Sequence, residues 1–434
     1  VNEAWIVLDL AFGDSGKGTV VDWLTRTRGA RLIVRWNGGA QAGHTVVAPD
    51  GRRHVFAQFG AGSFVPGVRT YLARDVVVHP TALLVEARRL QEVGVPDALQ
   101  RLSIADRARI VTPFHQAAGR LRELARGPAR HGSCGVGIGE AVRDALDHPE
   151  DAIRARDLAV GGADLRRKTS QAQQRLHAEF RGFPDGTLAR TERAMLEDPN
   201  VVDRWLEAIR PVGPAVVEEA LHDIEGTVVF EGAQGVLLDE WRGFHPHTTW
   251  STCTGEGTES LLSKFDGPVR RLGVLRTYLT RHGEGPFPTE SPELAVRLPE
   301  PHLQEEGGWP RPFRVGWPDL VLARYALVVC PVDGLAITHL DRISDLWKSA
   351  IAYRVAAEDA DLFSQDGSAV VPSEKGNLAR QERLTQALQR VVPILAEVTP
   401  AEVLPWTEDR LSTPIWLSSS GTQAAQKRGR GALQ

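Results

Sequence analysis

Short apolar runs of strand length recur along the chain and alternate with stretches of helical spacing. The runs are Trp5–Leu10, Arg31–Trp36, Asp75–Val78, Ser103–Ile104, Ile110–Val111, Val228–Phe230, Arg271–Tyr278, Ala326–Val329, Gly334–Thr338 and Lys348–Val355. Brief runs rich in branched residues fit strands buried on both faces. Val20–Leu24 and Pro80–Glu92 have the apolar spacing of helices. Strand and helix in alternation predict an α/β fold: a mostly parallel central sheet flanked by helices.

Two regions depart from that rhythm. Residues 140–226 are charged and helix-like, most clearly at Gln171–Phe180 and Ala215–Ile224, and predict a helical excursion from the sheet. Asp359–Gly376 is polar with Gly, Ser and Pro, so a small surface β-ribbon or loop is expected there. No internal repeat is evident. Residues 1–422 read as a single domain, and 423–434, containing Lys427-Arg428-Gly429-Arg430, as a disordered basic tail.

Composition narrows the function without naming it. The 434 residues are 42% hydrophobic and 24% charged, the balance of an ordinary globular protein. A net charge of −4 gives no general affinity for nucleic acid or membrane, so any attraction for phosphate must come from local loops. No apolar run approaches the ~18 residues of a membrane-spanning helix. Cys134, Cys253 and Cys330 fit neither a zinc site nor a disulfide framework. With no signal peptide at the start, a reducing cytoplasm is the expected compartment.

Candidate chemistry concentrates at the ends of two early strands. After Trp5–Leu10 comes Gly13-Asp14-Ser15-Gly16-Lys17-Gly18-Thr19, and after Arg31–Trp36 comes Asn37-Gly38-Gly39-Ala40-Gln41-Ala42-Gly43-His44-Thr45. A strand, a glycine-rich turn and a helix start form an anion site, because free N–H groups and the helix dipole favour phosphate. Lys17 adds a point charge. The match to the common phosphate loop is partial, since Ala11 holds its first glycine position and Gly18 follows the lysine. Asp14 is informative for another reason. An acid within a phosphate cradle is electrostatically costly unless it takes a metal or a substrate proton. Standing alone, His44 reads as a structural histidine; paired with the Asp14 loop it reads as catalytic.

These loops resemble those of the adenylosuccinate synthetase family. Further ordered motifs carry the resemblance over residues 5–422: Val78-His79-Pro80-Thr81-Ala82-Leu83, Gly132-Ser133-Cys134-Gly135-Val136-Gly137-Ile138-Gly139, and Phe230-Glu231-Gly232-Ala233-Gln234-Gly235-Val236-Leu237-Leu238-Asp239. Gly285-Pro286-Phe287-Pro288-Thr289-Glu290, Val315-Gly316-Trp317 and Thr338-His339-Leu340-Asp341 follow. The resemblance implies a ligase that joins the amine of aspartate to C6 of a 6-oxopurine nucleotide such as IMP. The reaction would pass through a 6-phosphoryl intermediate driven by GTP, with Mg²⁺ and in a homodimer.

Residue roles follow from the same resemblance. Asp14 becomes the base and a magnesium ligand, His44 the acid, and Gly43 a carbonyl ligand to the metal. Gly13, Gly16, Lys17, Gly18, Thr19 and Thr45 surround the triphosphate. Thr338, Asp341, Ser420 and Gly421 lie at its base, where Asp341 reads guanine. Gln41, Ser133, Cys134, Gln234 and Thr249 map to the acceptor pocket, and Arg311 and Arg314 to the amino acid. Arg143 and Arg154 are candidates for an arginine donated across the dimer.

Several positions depart from the family pattern. Ser15 stands for a glutamate, Gln41 for an asparagine, Cys134 for a threonine, Val136 for an arginine and His339 for a lysine. The loop Trp309–Trp317 is rebuilt. His245–Thr252 and Phe313-x-Val315 look more like the branch that includes phage enzymes acting on dGMP. One alternative is therefore a paralogue taking dGMP or a nucleotide analogue, with ATP or dATP as donor. Another is a nucleotide-binding regulator without turnover, against which the retained Asp14, Lys17 and His44 argue.

Overall fold

The chain is organised around β1 (Glu3–Asp9), whose side chains are buried on both faces. Trp5 and Val7 point into one hydrophobic core, whereas Ala4, Ile6 and Leu8 point into another on the opposite face. This period-two alternation, apolar on both sides, places β1 in the middle of a covered sheet. The computed structural model describes residues 2–127, 131–184, 186–218, 226–263, 265–298, 313–343 and 347–434.

Nine further strands complete the central sheet: β2 (Leu32–Arg35), β3 (Arg69–Leu72), β4 (Leu102–Ala105), β5 (Val216–Val217), β6 (Thr227–Glu231), β7 (Val269–Arg276), β8 (Gly334–Thr338), β9 (Ile415–Ser419) and β10 (Lys427–Gly429). Their spatial order is β10-β9-β8-β7-β1-β6-β2-β3-β4-β5. All pairs are parallel except β9 with β10. In register, Trp5 sits beside Val229 on one side and Arg270 on the other. Because β1, β2, β6, β7, β8 and β9 run the same way, their carboxyl ends gather along one edge. Open α/β sheets bind ligands there, where strand order reverses direction.

Helices cover both faces. The first, α1 (Lys17–Arg28), starts after the glycine-rich turn, with left-handed Gly16 at its N-terminus and left-handed Gly29 at its C-terminus. The helical excursion is present as Ile138–Asp147, Ala155–Val160, Gly162–Glu179, Thr187–Glu197 and Asn200–Ile209. Its apolar faces meet the helix Pro113–Arg126 in a separate small core built on Phe114, Leu121, Leu176, Leu196 and Val202.

Three expectations need correction, and two sets of expected strands form outside the main sheet. Ala326–Val329 is the second half of a helix, Leu320–Val329, not a strand. Asp319 caps that helix by accepting the N–H groups of Val321 and Leu322, and a four-residue apolar run, with Val328 exposed among its members, is too short to show a helical period. Lys348–Val355 is a strand outside the main sheet, since Trp347–Arg354 pairs antiparallel with Val392–Val398. Val77–Val78 and Arg109–Ile110 likewise pair with each other in a small parallel unit. Ala215–Ile224 is not a helix at its start, where β5 forms the sheet edge; residues 219–225 lie outside the described residues. Finally, the terminal stretch is not a disordered tail. Its β10 pairs Ser419 with Lys427, Lys427 is buried, and Leu433 enters the core beneath the sheet. Asp359–Gly376 is a loop, with one bridge between Phe363 and Val370.

Candidate active site

The site grows from the last residue of β1. Asp9 is buried and its carboxylate accepts the N–H groups of Ala11 (2.9 Å), Gly13 (3.3 Å) and Ser15 (3.1 Å). Lys17 Nζ donates to the same carboxylate at 2.8 Å, and both side chains are buried. One carboxylate therefore shapes the whole turn and holds the lysine expected to face phosphate. Gly13 and Gly16 have φ of +93° and +88°, values that glycine adopts without strain. Asp14 also has a positive φ, 55°.

Asp14 opens toward the cleft. Its carboxylate meets His282 Nε2 at 2.9 Å, with the two side chains 38% and 43% exposed. The walls around it would push the carboxyl up. The hydrogen bond and charge of His282, followed by Lys17 and Arg276, outweigh that and hold it far below the usual carboxylate range. Arg276 also donates to the Asp14 carbonyl at 3.0 Å. Asp14 is thus held as an ionised carboxylate, a hydrogen-bond acceptor at the mouth of the turn.

The second loop is packed directly on the first. A side-chain carbon at Gly18 would lie 2.8 Å from His44 Cβ, so only glycine lets the start of α1 approach the histidine this closely. His44 is buried, with Nδ1 against a Glu231 carboxylate oxygen, and the other Glu231 oxygen accepts Ala61 N–H at 2.8 Å. Facing a carboxylate, Nδ1 carries the proton. Burial lowers the His44 pKa, against the opposing pull of Glu231. Burial would raise that of Glu231, but Arg35 and His44 bring it below its ordinary value.

The third loop follows β6. Gln234 has φ of 54°, and both polar atoms of its amide are buried without a hydrogen-bond partner. Gln41 Oε1 is similarly orphaned. Buried amides left empty are costly, and ones lining a cleft mark where a polar ligand belongs. Gly38 and Gly13 abut Gln234, and Gly235 presses on the Ala11 carbonyl, which ties the three loops together.

The remaining expected residues fall in distinct places. Thr338 Oγ1 donates to the Ser15 carbonyl at 2.7 Å, joining the end of β8 to the first loop. Thr19 Oγ1 donates to the Gly16 carbonyl, and Thr45 lies opposite Val55 in a ribbon that His44 begins. Gly43 is exposed just before it. Asp341 stands in the turn Leu340–Arg342 after β8, 3.5 Å from Arg342 Nε. Ser420 and Gly421 follow β9, held by Gln426. Cys134 is exposed, and its thiol pKa is raised in part by the Asp14 charge, which places it near that carboxylate. Ser133 Oγ accepts Gly135 N–H, and Thr249 N–H donates to Leu238.

Arg314 is differently engaged than expected. Its guanidinium grips Glu290 and donates to the Gly285 carbonyl at 2.9 Å. Arg311 lies outside the described residues. Arg143 pairs with Glu140 and Glu179. Sequence reasoning missed Asp9, Glu231, Arg276 and His282 as working residues. Glu231 carried a signal, an acid ending an apolar strand within a quoted motif; His282 carried none.

A parallel sheet with a phosphate turn, an ionised carboxylate, a carboxylate-held histidine and empty amides at its carboxyl edge defines a nucleotide-handling α/β enzyme. Comparison with known proteins narrows this. A model of the adenylosuccinate synthetase family matches residues 6–392, and the chain belongs to that family of carbon–nitrogen ligases, which join aspartate to IMP with GTP. It is 34% identical to adenylosuccinate synthetase of Acidithiobacillus ferrooxidans, covering 82% of each chain. With the Nitrosomonas eutropha protein of the same name it shares 32% identity over 96% of each. Among solved structures, fully ligated adenylosuccinate synthetase from Plasmodium falciparum superposes with a TM-score of 0.78 at 21% identity, over 98% of this chain and 99% of that one. A cyanophage succinoaminodeoxyadenylate synthetase bound to dGMP and dATP gives 0.52 at 16%, over 99% and 95%. At these identities both show the fold alone.

Proposed function

We propose that this chain performs the family reaction with IMP, GTP and aspartate, Asp14 and His44 acting on opposite ends of the phosphoryl transfer. Asp14 accepts the ring N–H proton of the purine, which raises the nucleophilicity of its 6-oxygen toward the γ-phosphorus. His44, held through Nδ1 by Glu231, offers Nε2 to the triphosphate, where anionic oxygens and the Glu231 carboxylate together favour the imidazolium. The aspartate amine then displaces phosphate from C6. Gln41 and Gln234 supply the amides that read the purine nucleotide, with Ser133, Cys134 and Thr249 around them. Gly13, Gly16, Lys17, Gly18, Thr19, Thr45, Thr338, Asp341, Ser420 and Gly421 surround the triphosphate, and Arg311 and Arg314 face the amino acid.

Among the described residues, no group of three His, Cys, Asp or Glu side chains forms a metal cage. Nucleotide-bound Mg²⁺ takes one or two protein oxygens and fills its shell with phosphate and water, so a lone carboxylate at the mouth of a phosphate turn fits it. Asp14 and the Gly43 carbonyl would hold it, and it would neutralise charge on the transferred phosphoryl group. No helix among the described residues is long and apolar enough to cross a membrane. A cytoplasmic homodimer completes this reading.

The convergence of Asp14, His44 and the orphaned Gln234 amide on one sheet edge carries the proposal. The test is phosphate release with aspartate and Mg²⁺, IMP and dGMP being crossed against GTP and ATP, and products weighed by mass spectrometry. An adduct from IMP with GTP is expected. An adduct from dGMP alone would assign the paralogue activity instead, and triphosphate binding without any product would leave a regulator.

A further inference from the structure

The glycine-rich loop that carries Ser133 and Cys134 has little of its own to hold its shape. Gly132, Gly135 and Gly137 adopt φ of +82°, +65° and +88°, and glycine loses more conformational freedom on being ordered than any other residue. The order comes from outside, from one face of the helix Pro113–Arg126. Gln116, Arg120 and Glu123 are spaced i, i+4 and i+7, which aligns them along that face. The loop runs beside them in the opposite direction. The buried carboxylate of Glu123 accepts the N–H groups of Gly132 (3.1 Å) and Ser133 (3.3 Å) on one oxygen, and Arg126 holds the other. One turn earlier, Arg120 Nε donates to the Gly135 carbonyl at 3.0 Å. A further turn back, a side-chain carbon at Gly137 would lie 2.6 Å from Gln116 N, so the loop rests directly on the helix backbone.

Another face of this helix turns away from the loop. Phe114, Ala117, Ala118 and Leu121 enter the small core shared with the helical excursion. A polar link crosses to the same excursion: Arg120 Nη1 donates to Glu192 at 2.9 Å, and Glu192 is a buried residue of the helix Thr187–Glu197. On its far side the loop meets the turn after His282. A side-chain carbon at Gly132 would lie 3.3 Å from Gly283 Cα, and Cys134 lies near Asp14. The distance between Cys134 and the Asp14 carboxylate therefore follows from where the helix seats the loop.

We propose that Glu123 and Arg120 are positioning residues for the acceptor nucleotide, and that Glu192 carries their support into the helical excursion. This rests on the reading of Ser133 and Cys134 as acceptor-pocket residues. Asp9 acts in the same way at the phosphate turn, where a buried carboxylate also collects the N–H groups of a glycine loop. A loop fixed before its ligand arrives loses less freedom on binding, which favours the ligand it touches and leaves the other substrates unaffected. Both residues act through the loop, and the excursion becomes the outer brace of the acceptor pocket.

The test combines hydrogen exchange and steady-state kinetics on the full chain. In Glu123→Gln the amides of Gly132 and Ser133 should exchange about tenfold faster, with those of the helix Pro113–Arg126 unchanged. KM for IMP should rise about tenfold, while kcat at saturating IMP and the affinity for GTP stay within about twofold. Arg120→Met should raise the same KM, and Arg120→Lys should recover part of the loss by keeping a donor for the Gly135 carbonyl. Glu192→Gln, which alters no loop contact directly, should raise KM for IMP about threefold and add nothing further to Arg120→Met. A urea midpoint establishes that each variant is folded; if Glu123→Gln does not fold, the Arg120 and Glu192 variants decide. Faster exchange with KM for IMP unchanged would show that the loop does not serve the acceptor, and the reading beneath the proposal falls. Unchanged exchange, or a KM for GTP raised as much as that for IMP, overturns the proposal itself.

Discussion

Replacing Glu231 by Gln tests whether His44 works through its carboxylate. Glu231 is fully buried, with one oxygen on His44 Nδ1 and the other accepting Ala61 N–H at 2.8 Å. A glutamine has one oxygen for these two donors. If that oxygen faces His44, the amide NH₂ meets the Ala61 N–H, and a buried donor is stranded at a cost of about 1–3 kcal/mol. If it faces Ala61, the NH₂ meets Nδ1 and forces the other tautomer. In both orientations the negative charge that favours an imidazolium is gone. Hydrogen bonds to charged partners contribute about 1.5–3 kcal/mol, which corresponds to a loss of about 10- to 100-fold in kcat. The assay is steady-state kcat and KM for each substrate, with a urea midpoint for the same preparations. The expected pattern is a large fall in kcat, little change in KM for the triphosphate, and modest destabilisation. A variant that keeps kcat within twofold would refute the dyad, whatever its stability.

Three more outcomes follow from particular contacts. Asp319 is buried and its pKa is raised by burial from 3.8 to about 6 despite bonds from Tyr353, Leu322 and Val321. A raised folded value means stability fully present below about pH 4 and lost as pH climbs through about 6; Asp319→Asn should remove roughly 3 kcal/mol of that dependence, seen as a flatter unfolding free energy between pH 4 and 8. Leu433 is 4% exposed in the core, so Leu433→Ala should cost about 2–5 kcal/mol in chemical unfolding, whereas an unstructured tail would show no change. His282 holds Asp14 at 2.9 Å in a pair open to solvent, so His282→Ala should lower kcat only about fivefold, with His282→Gln restoring most of it by donating from a similar position; a Gln variant as slow as Ala would show that the contact is incidental.

The parallel sheet was legible because its strands are buried on both faces and therefore apolar without interruption. The same property misled at Ala326–Val329. That stretch is the last turn of a helix whose earlier residues are buried while Val328 is exposed, and four apolar residues of it show no period. The terminal segment failed for a different reason. Lys427 and its neighbours look solvated by composition, but pairing of β10 with β9 satisfies their backbone, and Lys427 Nζ reaches the Gly421 and Gln423 carbonyls. Nothing local announces a strand that exists only against a partner folded before it. Asp14, His44 and Gln234 were legible because close approach of backbone demands glycines around them, and glycine spacing survives in the linear sequence. Glu231, Arg276 and His282 meet these residues from distant strands, by register and not by spacing.

Lys17 shows what a motif leaves out. Its place after a glycine turn points to phosphate, yet in this structure its ammonium lies on Asp9 with both groups out of water. A buried ion pair of this kind contributes little net stability against removing both charges, because desolvation offsets the attraction. It does contribute geometry. Asp9 simultaneously accepts three backbone N–H groups of the turn, so its charge is satisfied whether or not Lys17 remains. The lysine can therefore turn part of its three-donor ammonium toward an arriving triphosphate without stranding the carboxylate behind it. The carboxylate at the end of β1 thus orders the glycine turn before any ligand arrives, and the preorganisation that an arriving triphosphate would meet rests on an anion of the protein's own.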